Sequence, residues 1–156
     1  NGKIASKGSP INEEVRNFLL QDYFKKVPPK SLDKYSFMKN YKKLIVKKYS
    51  EHDIMATLLE YTSMSIVTSL KSLPKKIKSI MITGGGYRNH YLMENLRGKL
   101  NFKIFEEQKS EINFDYIESE LIAYLSARSI YKLPITFPST TGVSKPSSGG
   151  RLYKHL

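Results

Sequence analysis

The order of the predicted elements indicates an α/β protein with parallel strands. Residues 77–83 form a short run rich in isoleucine that predicts a strand, and three consecutive glycines follow it. Apolar residues at helical spacing then predict a helix over residues 89–100, a second strand is predicted at residues 102–105, and a further helix at residues 114–133. Because a helix separates the two strands, the order is typical of a parallel pair.

The region before the first strand is predicted to be helical. Residues 11–24 carry apolar side chains at helical spacing, with acidic residues near the start that favour a helix amino terminus. Residues 37–49 predict a short amphipathic helix that is rich in lysine. Residues 50–53 offer capping side chains, and the apolar pattern that begins there predicts a long helix through Leu73.

Proline and glycine mark the boundaries of these elements. Pro28 and Pro29 predict an extended, rigid connector within residues 25–36. Pro74 is predicted to end the long helix. From Pro134 onward, proline, serine, threonine and glycine dominate, and this composition predicts a loop-rich tail.

Length and composition restrict the class of protein. A chain of 156 residues with 40% hydrophobic content is expected to form one domain. No apolar stretch approaches the roughly 20 residues that cross a bilayer, and the first ten residues do not resemble a signal sequence, so we expect a soluble, cytoplasmic protein that does not contact a membrane. Cysteine is absent, and His52, His90 and His155 have no metal-binding spacing, so the sequence predicts no metal site within this chain.

The net charge of +12 raises the possibility of nucleic-acid binding. Most of the basic residues are lysines in scattered pairs, whereas arginine is the side chain that reads guanine bidentately. We therefore favour a solvated, lysine-rich surface and expect no nucleic-acid partner. The alternative is a small basic module that binds nucleic acid through the following residues: Lys42, Lys43, Lys47, Lys48, Lys75 and Lys76.

Gly84, Gly85 and Gly86 lie where open α/β sheets bind ligands, between the end of a strand and the start of a helix. Glycine allows the backbone to approach a nucleotide closely, and a helix amino terminus offers free N–H groups to an anion. The segment is neither a Walker loop nor a dinucleotide fingerprint. A tight turn between strand and helix explains the glycines equally well.

The glycine segment resembles a family motif. It is similar to the GGG-x-x-N-x-x-L-M segment of anhydro-N-acetylmuramic acid kinases, and the matching residues are Gly84, Gly85, Gly86, Asn89, Leu92 and Met93. Residues 28–31 resemble the PPKS connector of that family, and residues 53–58 resemble its D-x-x-A-T-L helix start. The helix that begins with Glu118 and the tail from Leu133 to Arg151 match in part. These segments follow the family's order over nearly the whole chain.

The resemblance implies a ribonuclease H-like fold of the actin-like ATPase type, with a mixed sheet and flanking helices. It implies that residues 1–156 are a single carboxy-terminal lobe of a two-lobe kinase whose amino-terminal lobe is absent from this chain. The family opens the 1,6-anhydro bridge of anhydro-N-acetylmuramic acid and phosphorylates O6 with ATP and Mg²⁺. Its phosphate loop and catalytic aspartate would precede Asn1, so the fragment alone is expected to be inactive. A homodimer is possible, and a degenerate or split relative with a scaffolding role is the remaining alternative.

Glu118 is the candidate catalytic residue on the sugar side. In a helix it aligns with Ile122 and Leu125, so its carboxylate is expected to lie on a largely apolar side. The residues that follow it, 119–122, depart from the small-residue run of the family. An ordinary exposed glutamate, as expected for Glu111 and Glu120, is the alternative that the residues alone favour.

Nucleotide binding is assigned through the resemblance to Gly84, Gly85, Gly86 and Asn89, mainly through backbone contacts. The roles of several further residues stay open. Asp53 is better explained as a helix cap. A place near the cleft and a solvated charge explain Lys30 equally well. Arg88 could assist a phosphate, although an exposed arginine beside a turn is common. Thr140 and Thr141 are expected to stabilise a turn in the tail, and Ser31, like Lys30, could approach the cleft.

Overall fold

The protein is an α/β structure that is mostly helical and contains a small parallel sheet. The computed structural model describes residues 2–73, 76–105 and 113–153. Strand β1 (Ser79–Met81) pairs with strand β2 (Lys103–Phe105), and Ile80 lies opposite Ile104. The predicted parallel pair is confirmed, although both strands are shorter than predicted. Predictions about Pro74, Lys75, Glu111 and His155 lie outside the described residues.

The prediction of a single helix over residues 11–24 is wrong. The structure has helix α1 (Asn12–Leu19) and a separate turn of helix, α2 (Asp22–Lys25), because Gln21 adopts an extended backbone with ψ of 146°. The break turns the chain so that Phe24 packs edge-on against Phe18, with ring centroids 5.0 Å apart. Packing of a large aromatic side chain therefore outweighs the continuous helical pattern.

Helix α3 (Lys34–Val46) begins three residues before the predicted boundary. Its start is set by Asp33, whose side chain accepts a hydrogen bond from the N–H of Tyr35 at 2.7 Å. An aspartate at this position satisfies a backbone donor that the helix cannot satisfy itself. Before this helix, residues 26–33 form a non-helical connector that is shorter than the predicted range of 25–36, and the chain bends at Pro28 and Pro29 instead of staying extended as predicted.

Helix α4 (Glu51–Lys71) is the centre of the molecule, and its prediction is confirmed. Ser50 caps it by accepting a hydrogen bond from the N–H of Asp53. Two clusters of buried side chains form around it. The first contains Ala5, Leu59, Val67, Leu92 and Leu96, and the second contains Val15, Phe18, Leu44 and Tyr61.

The remaining helices are α5 (His90–Lys99), α6 (Ile117–Ile130) and α7 (Pro138–Thr141). Helix α6 is shorter at both ends than the predicted range of 114–133. The tail after it is mainly loop, as predicted, and is tied by an isolated antiparallel bridge between Thr136 and Ser147. Over the ranges that the structure describes, no helix is long and apolar enough to span a bilayer.

Candidate functional site

The glycine segment forms a tight turn at the carboxyl end of β1. Gly84 has φ of 76°, a conformation that glycine adopts readily and other residues rarely do. Residues Gly85–Arg88 then form a single 3₁₀ turn. The N–H of Tyr87 donates to the carbonyl oxygen of Gly84 at 3.2 Å, and the N–H of Asn89 donates to that of Gly86 at 3.1 Å. These bonds do not use the N–H groups of Gly85 and Gly86.

The three glycines differ in what surrounds them. A Cβ atom added to Gly84 would lie 3.5 Å from Oε1 of Glu118, whereas one added to Gly85 would meet no atom within 4 Å. A Cβ atom on Gly86 would lie 4.0 Å from a methyl group of Leu92. The site residues predicted for the nucleotide and the sugar therefore lie side by side, and the backbone at Gly85 borders open space.

Glu118 lies in the first turn of α6 and is exposed. A carboxylate in the first turn of a helix is stabilised by the partial positive charge of the helix amino terminus. Ile122, one turn further along, is 62% exposed, and Leu125 is half-buried. The predicted alignment on one side of the helix holds, and that side is largely uncovered in this chain.

Asn89 begins helix α5. Its Oδ1 atom accepts a hydrogen bond from the N–H of Leu92 at 3.1 Å, which makes it the helix cap. Asn89 also lines a hollow of about 630 Å³ between α5, α4 and the first residues of the chain. The remaining walls are mostly apolar: Gly2, Lys3, Ile4, Ala5, Met55, Leu58, Leu59, Thr62 and Leu92. A hollow of this size with few polar groups can hold a largely apolar ligand group.

Arg88 connects the glycine turn to the segment before α6. Its guanidinium forms an ion pair with the carboxylate of Asp115, and it lies 5.6 Å from the centre of the Tyr87 ring. The hydrogen bond with Tyr87 and the charge of Asp115 raise the pKa of Arg88. Tyr87 in turn packs edge-on against buried Phe114, with ring centroids 5.6 Å apart.

The other candidate residues have structural partners. The preferred role of Asp53 as a helix cap is wrong, because Ser50 is the cap and Asp53 lies in the first turn of α4. Its carboxylate accepts hydrogen bonds from the Ser9 N–H at 2.8 Å and the Ser50 hydroxyl at 2.7 Å, so it fastens the first residues of the chain to α4. Lys30 donates to the carbonyl oxygen of Tyr23 at 3.1 Å and lies over its ring, so it is not simply a solvated charge.

The threonines of the tail stabilise a turn, as predicted. Thr140 accepts from the N–H of Phe137 and donates to its carbonyl oxygen, and the Thr141 hydroxyl is hydrogen-bonded to that of Thr136. Ser31 is exposed.

Two features of the site were missed by sequence reasoning. The first is the position of residues 2–5, which pack on α4 and line the hollow beside Asn89; the short apolar pair Ile4 and Ala5 was the only signal. The second is the pairing of Arg88 with Asp115, which lies 27 residues away and has no periodic relation to it. Among residues 2–73, 76–105 and 113–153, no group of three or more His, Cys, Asp or Glu side chains is placed to hold a metal ion.

Comparison with known proteins identifies the family. The family model described as anhydro-N-acetylmuramic acid kinase matches residues 1–155. Anhydro-N-acetylmuramic acid kinases of Zymomonas mobilis subsp. mobilis and Ruegeria sp. are 36% and 35% identical to the chain, covering 97% and 96% of it. That of Brucella anthropi is 32% identical over 97% of the chain. The chain spans 40%, 39% and 40% of the length of these three relatives. The chain therefore belongs to the anhydro-N-acetylmuramic acid kinase family.

Proposed function

We propose that the full-length protein is an ATP-dependent kinase of the cytoplasm that acts in peptidoglycan recycling. Water adds to the anomeric carbon of anhydro-N-acetylmuramic acid and opens the 1,6-anhydro bridge, and the released O6 takes the γ-phosphoryl group of ATP. The products are N-acetylmuramic acid 6-phosphate and ADP. The single observation that supports this proposal is the proximity of Gly84 and Glu118, because it brings a nucleotide-side turn and a sugar-side carboxylate to one edge of the sheet.

On the nucleotide side, ATP lies along the glycine turn. Gly85 borders open space, and its N–H group is not used by the turn, so the backbone can approach a phosphate or ribose closely. The apolar hollow beside Asn89 is large enough to hold the adenine base. In this proposal Asn89 serves mainly to cap α5 and so to fix the position of the turn.

On the sugar side, the carboxylate of Glu118 accepts a hydrogen bond from a hydroxyl group of the anhydro sugar. The exposure of Glu118 in this chain leaves it accessible to such a ligand. A charged acceptor forms stronger hydrogen bonds than a neutral one, especially where the rest of the protein excludes water. The adjoining apolar side of α6 can pack against the carbon face of a sugar or against the amino-terminal lobe.

The amino-terminal lobe supplies the remaining parts of the site. We place in it the phosphate loop and the aspartate that removes a proton from the attacking water. Further strands beside β1 would complete the mixed sheet of a ribonuclease H-like, actin-like ATPase lobe. The exposed apolar residues of α6 are candidates for contact with that part of the protein or with a second subunit of a homodimer.

Mg²⁺ would neutralise phosphate charge during the transfer. The described residues do not fit a magnesium site, because Asp115 is paired with Arg88 and no acidic cluster is present among them. We therefore assign no step in this chain to the metal.

The assignment of Glu118 is tested in the full-length protein with Glu118→Gln, by measuring ATP-dependent phosphorylation of the anhydro sugar. Removing the charge while keeping the shape is expected to lower kcat/KM for the sugar by about 100-fold or more, since a buried charged hydrogen bond in a closed site contributes roughly 3 kcal/mol. Glu120→Gln is the matched control, because Glu120 is also an exposed glutamate in the first turn of α6. Wild-type turnover in Glu118→Gln would remove Glu118 from the site.

The nucleotide side is tested with Gly85→Ala. The added methyl group meets no protein atom within 4 Å, so folding should be unaffected, yet it occupies the space through which ATP approaches. We expect the KM for ATP to rise by about tenfold, the loss expected when a close backbone contact worth roughly 1.4 kcal/mol is removed. Gly98→Ala is the control, because its methyl group also meets no atom and Gly98 lies in α5 away from the turn. An unchanged KM for ATP in Gly85→Ala would place the nucleotide elsewhere.

A further inference from the structure

We propose that Arg88 and Asp115 are positioning residues that fix the sugar-side carboxylate of Glu118 relative to the nucleotide-side glycine turn. This inference rests on the proposed function and adds residues to its site. We call the two contacts that connect the turn with the segment before α6 the clamp. They are the ion pair of Arg88 with Asp115 and the ring contact of Tyr87 with Phe114.

The ion pair joins two segments that are distant in sequence. Arg88 ends the 3₁₀ turn of the glycine segment, and Asp115 lies two residues before α6 begins. The N–H of Asp115 donates to Oδ1 of Asn113 at 3.0 Å, which fixes the backbone around the carboxylate. Both charged side chains are about half exposed, at 59% and 46%, so the pair contributes little to global stability.

The ring contact connects the clamp to a buried side chain. Phe114 is only 2% exposed and meets Tyr87 edge-on at an interplanar angle of 82°. Arg88 lies over the ring of Tyr87, so the aromatic pair and the ion pair support each other. Two neighbouring residues of the turn, Tyr87 and Arg88, therefore contact two neighbouring residues of the segment before α6, Phe114 and Asp115.

The position of Glu118 depends on these contacts. Glu118 follows Asp115 by three residues, about one helical turn, and its Oε1 lies beside Gly84. Helix α6 buries none of its described side chains, so packing of the helix itself does little to fix its start. The clamp is thus the feature that sets the distance between the turn that receives ATP and the carboxylate that receives the sugar. A displacement of about 1 Å at a reacting centre can lower a rate by up to roughly 100-fold.

A direct contact between Arg88 and a phosphate of ATP is the competing explanation for any effect of Arg88. The two explanations differ at Asp115, which cannot attract a phosphate. If Arg88 contacts ATP directly, Asp115→Asn leaves activity unchanged or improves it, and reversing the pair abolishes activity. If the clamp positions Glu118, Arg88→Gln and Asp115→Asn have similar effects, and reversal of the pair restores function.

The test uses the full-length protein with Arg88→Gln, Asp115→Asn, the two combined, and the reversed pair Arg88→Asp with Asp115→Arg. We expect each single variant to lower kcat by about tenfold with little change in the KM for ATP, within the range expected for misplacement. The combined variant should be no worse than the poorer single variant, because both changes break one interaction. The reversed pair should recover at least half of the lost activity.

Hydrogen exchange of residues 113–125 gives a readout that does not require activity. Exchange in this segment should be faster in both single variants and return to the wild-type rate in the reversed pair. If the wild-type protein lacks kinase activity but exchange behaves in this way, the proposed function fails and the clamp stands. Wild-type kcat in Asp115→Asn, or a reversed pair as slow in catalysis as Arg88→Gln, would overturn the positioning role.

Discussion

Helices α4 and α6 have similar apolar patterns and very different surroundings. Six residues of α4 are buried, and this helix contacts both clusters of the core. None of the residues of α6 is buried, and four of its large apolar side chains are more than half exposed: Leu121, Ile122, Tyr124 and Ile130. One helix organises the molecule, whereas the other carries the candidate carboxylate and has much of its apolar surface uncovered.

This difference indicates what an apolar pattern does and does not specify. Periodicity predicts that a helix has a side that prefers to leave water, and it does not say which part of the protein covers that side. For α4 the covering elements are α1, α2, α3, α5 and the residues before α1. For α6 we infer that the covering elements belong to the remainder of the full-length protein. The chain spans 40% of the length of its Zymomonas mobilis relative.

The largest expected effect comes from making the same substitution in the two regions. Leu96 is fully buried beside α4, at 0% exposure, whereas Leu121 of α6 is 52% exposed. Leu96→Ala should lower the free energy of unfolding of the 156-residue chain by about 2–5 kcal/mol, because it removes buried methyl groups and leaves a cavity. Leu121→Ala should lower it by less than about 1 kcal/mol. Urea denaturation of both variants measures the difference.

The same pair of variants in the full-length protein sharpens the comparison. If the remainder of the protein covers α6, Leu121→Ala should become clearly more destabilising there, while the cost of Leu96→Ala stays the same. An equally small effect of Leu121→Ala in both proteins would show that this side of α6 faces water in the full-length protein as well.

Substitution of Gly8, which lies close to α4, gives the next largest effect, and Gly150, which lies close to α6, is the matched position. A Cβ atom on Gly8 would lie 2.1 Å from the backbone oxygen of His52 in α4, so Gly8→Ala must displace one segment of backbone from another. A Cβ atom on Gly150, where φ is 96°, would lie 2.3 Å from the hydroxyl of Ser129 in α6. We expect Gly8→Ala to lower global stability by about 1–3 kcal/mol. Gly150→Ala should leave it within about 0.5 kcal/mol and release the tail only.

Urea denaturation and limited trypsin digestion separate these outcomes. Release of the tail should expose Lys145 and Arg151 to rapid cleavage in Gly150→Ala while the core remains intact. Cooperative loss of the whole fold in Gly150→Ala would mean that the tail and α6 are part of the core, contrary to the comparison of the two helices.

Much of the fold was predictable because local patterns determine it. The long helix α4, the parallel strand pair and the capped helix α5 follow from periodicity, capping side chains and glycines within short segments. The break between α1 and α2 was not predictable in this way, because it depends on the contact of Phe24 with Phe18. Asp33 was a local signal that was overlooked, since an aspartate before a helical pattern is a common cap.

The candidate site also combines features that local sequence patterns identify with contacts that only the fold brings together. The glycines were identified by their position between a strand and a helix, and Glu118 through a family resemblance; the structure brings Gly84 and Glu118 close together. Sequence could not predict the pairing of Arg88 with Asp115, because nothing in the local pattern relates residues in different elements. Contacts between separate elements, rather than the elements themselves, are what the sequence leaves undetermined.

The smallest expected effect concerns the polar link between the first residues of the chain and α4. The N–H of Ser9, followed by the hydroxyl of Ser50, lowers the pKa of Asp53 below its ordinary value of 3.8, and Lys25 lowers that of Asp22. Both contributions are present above pH 3.8 and are lost as the pH falls through the lowered pKa of the folded state. Asp53 joins segments 44 residues apart, whereas Asp22 pairs with Lys25, only three positions away, through two exposed side chains. Urea midpoints at about pH 7 and about pH 2 should therefore converge more in Asp53→Asn than in Asp22→Asn, since removing a carboxylate removes its pH dependence. Equal convergence in the two variants would mean that the link through Ser9 adds nothing to the packing of α4, and that its apolar contacts alone hold the first residues in place.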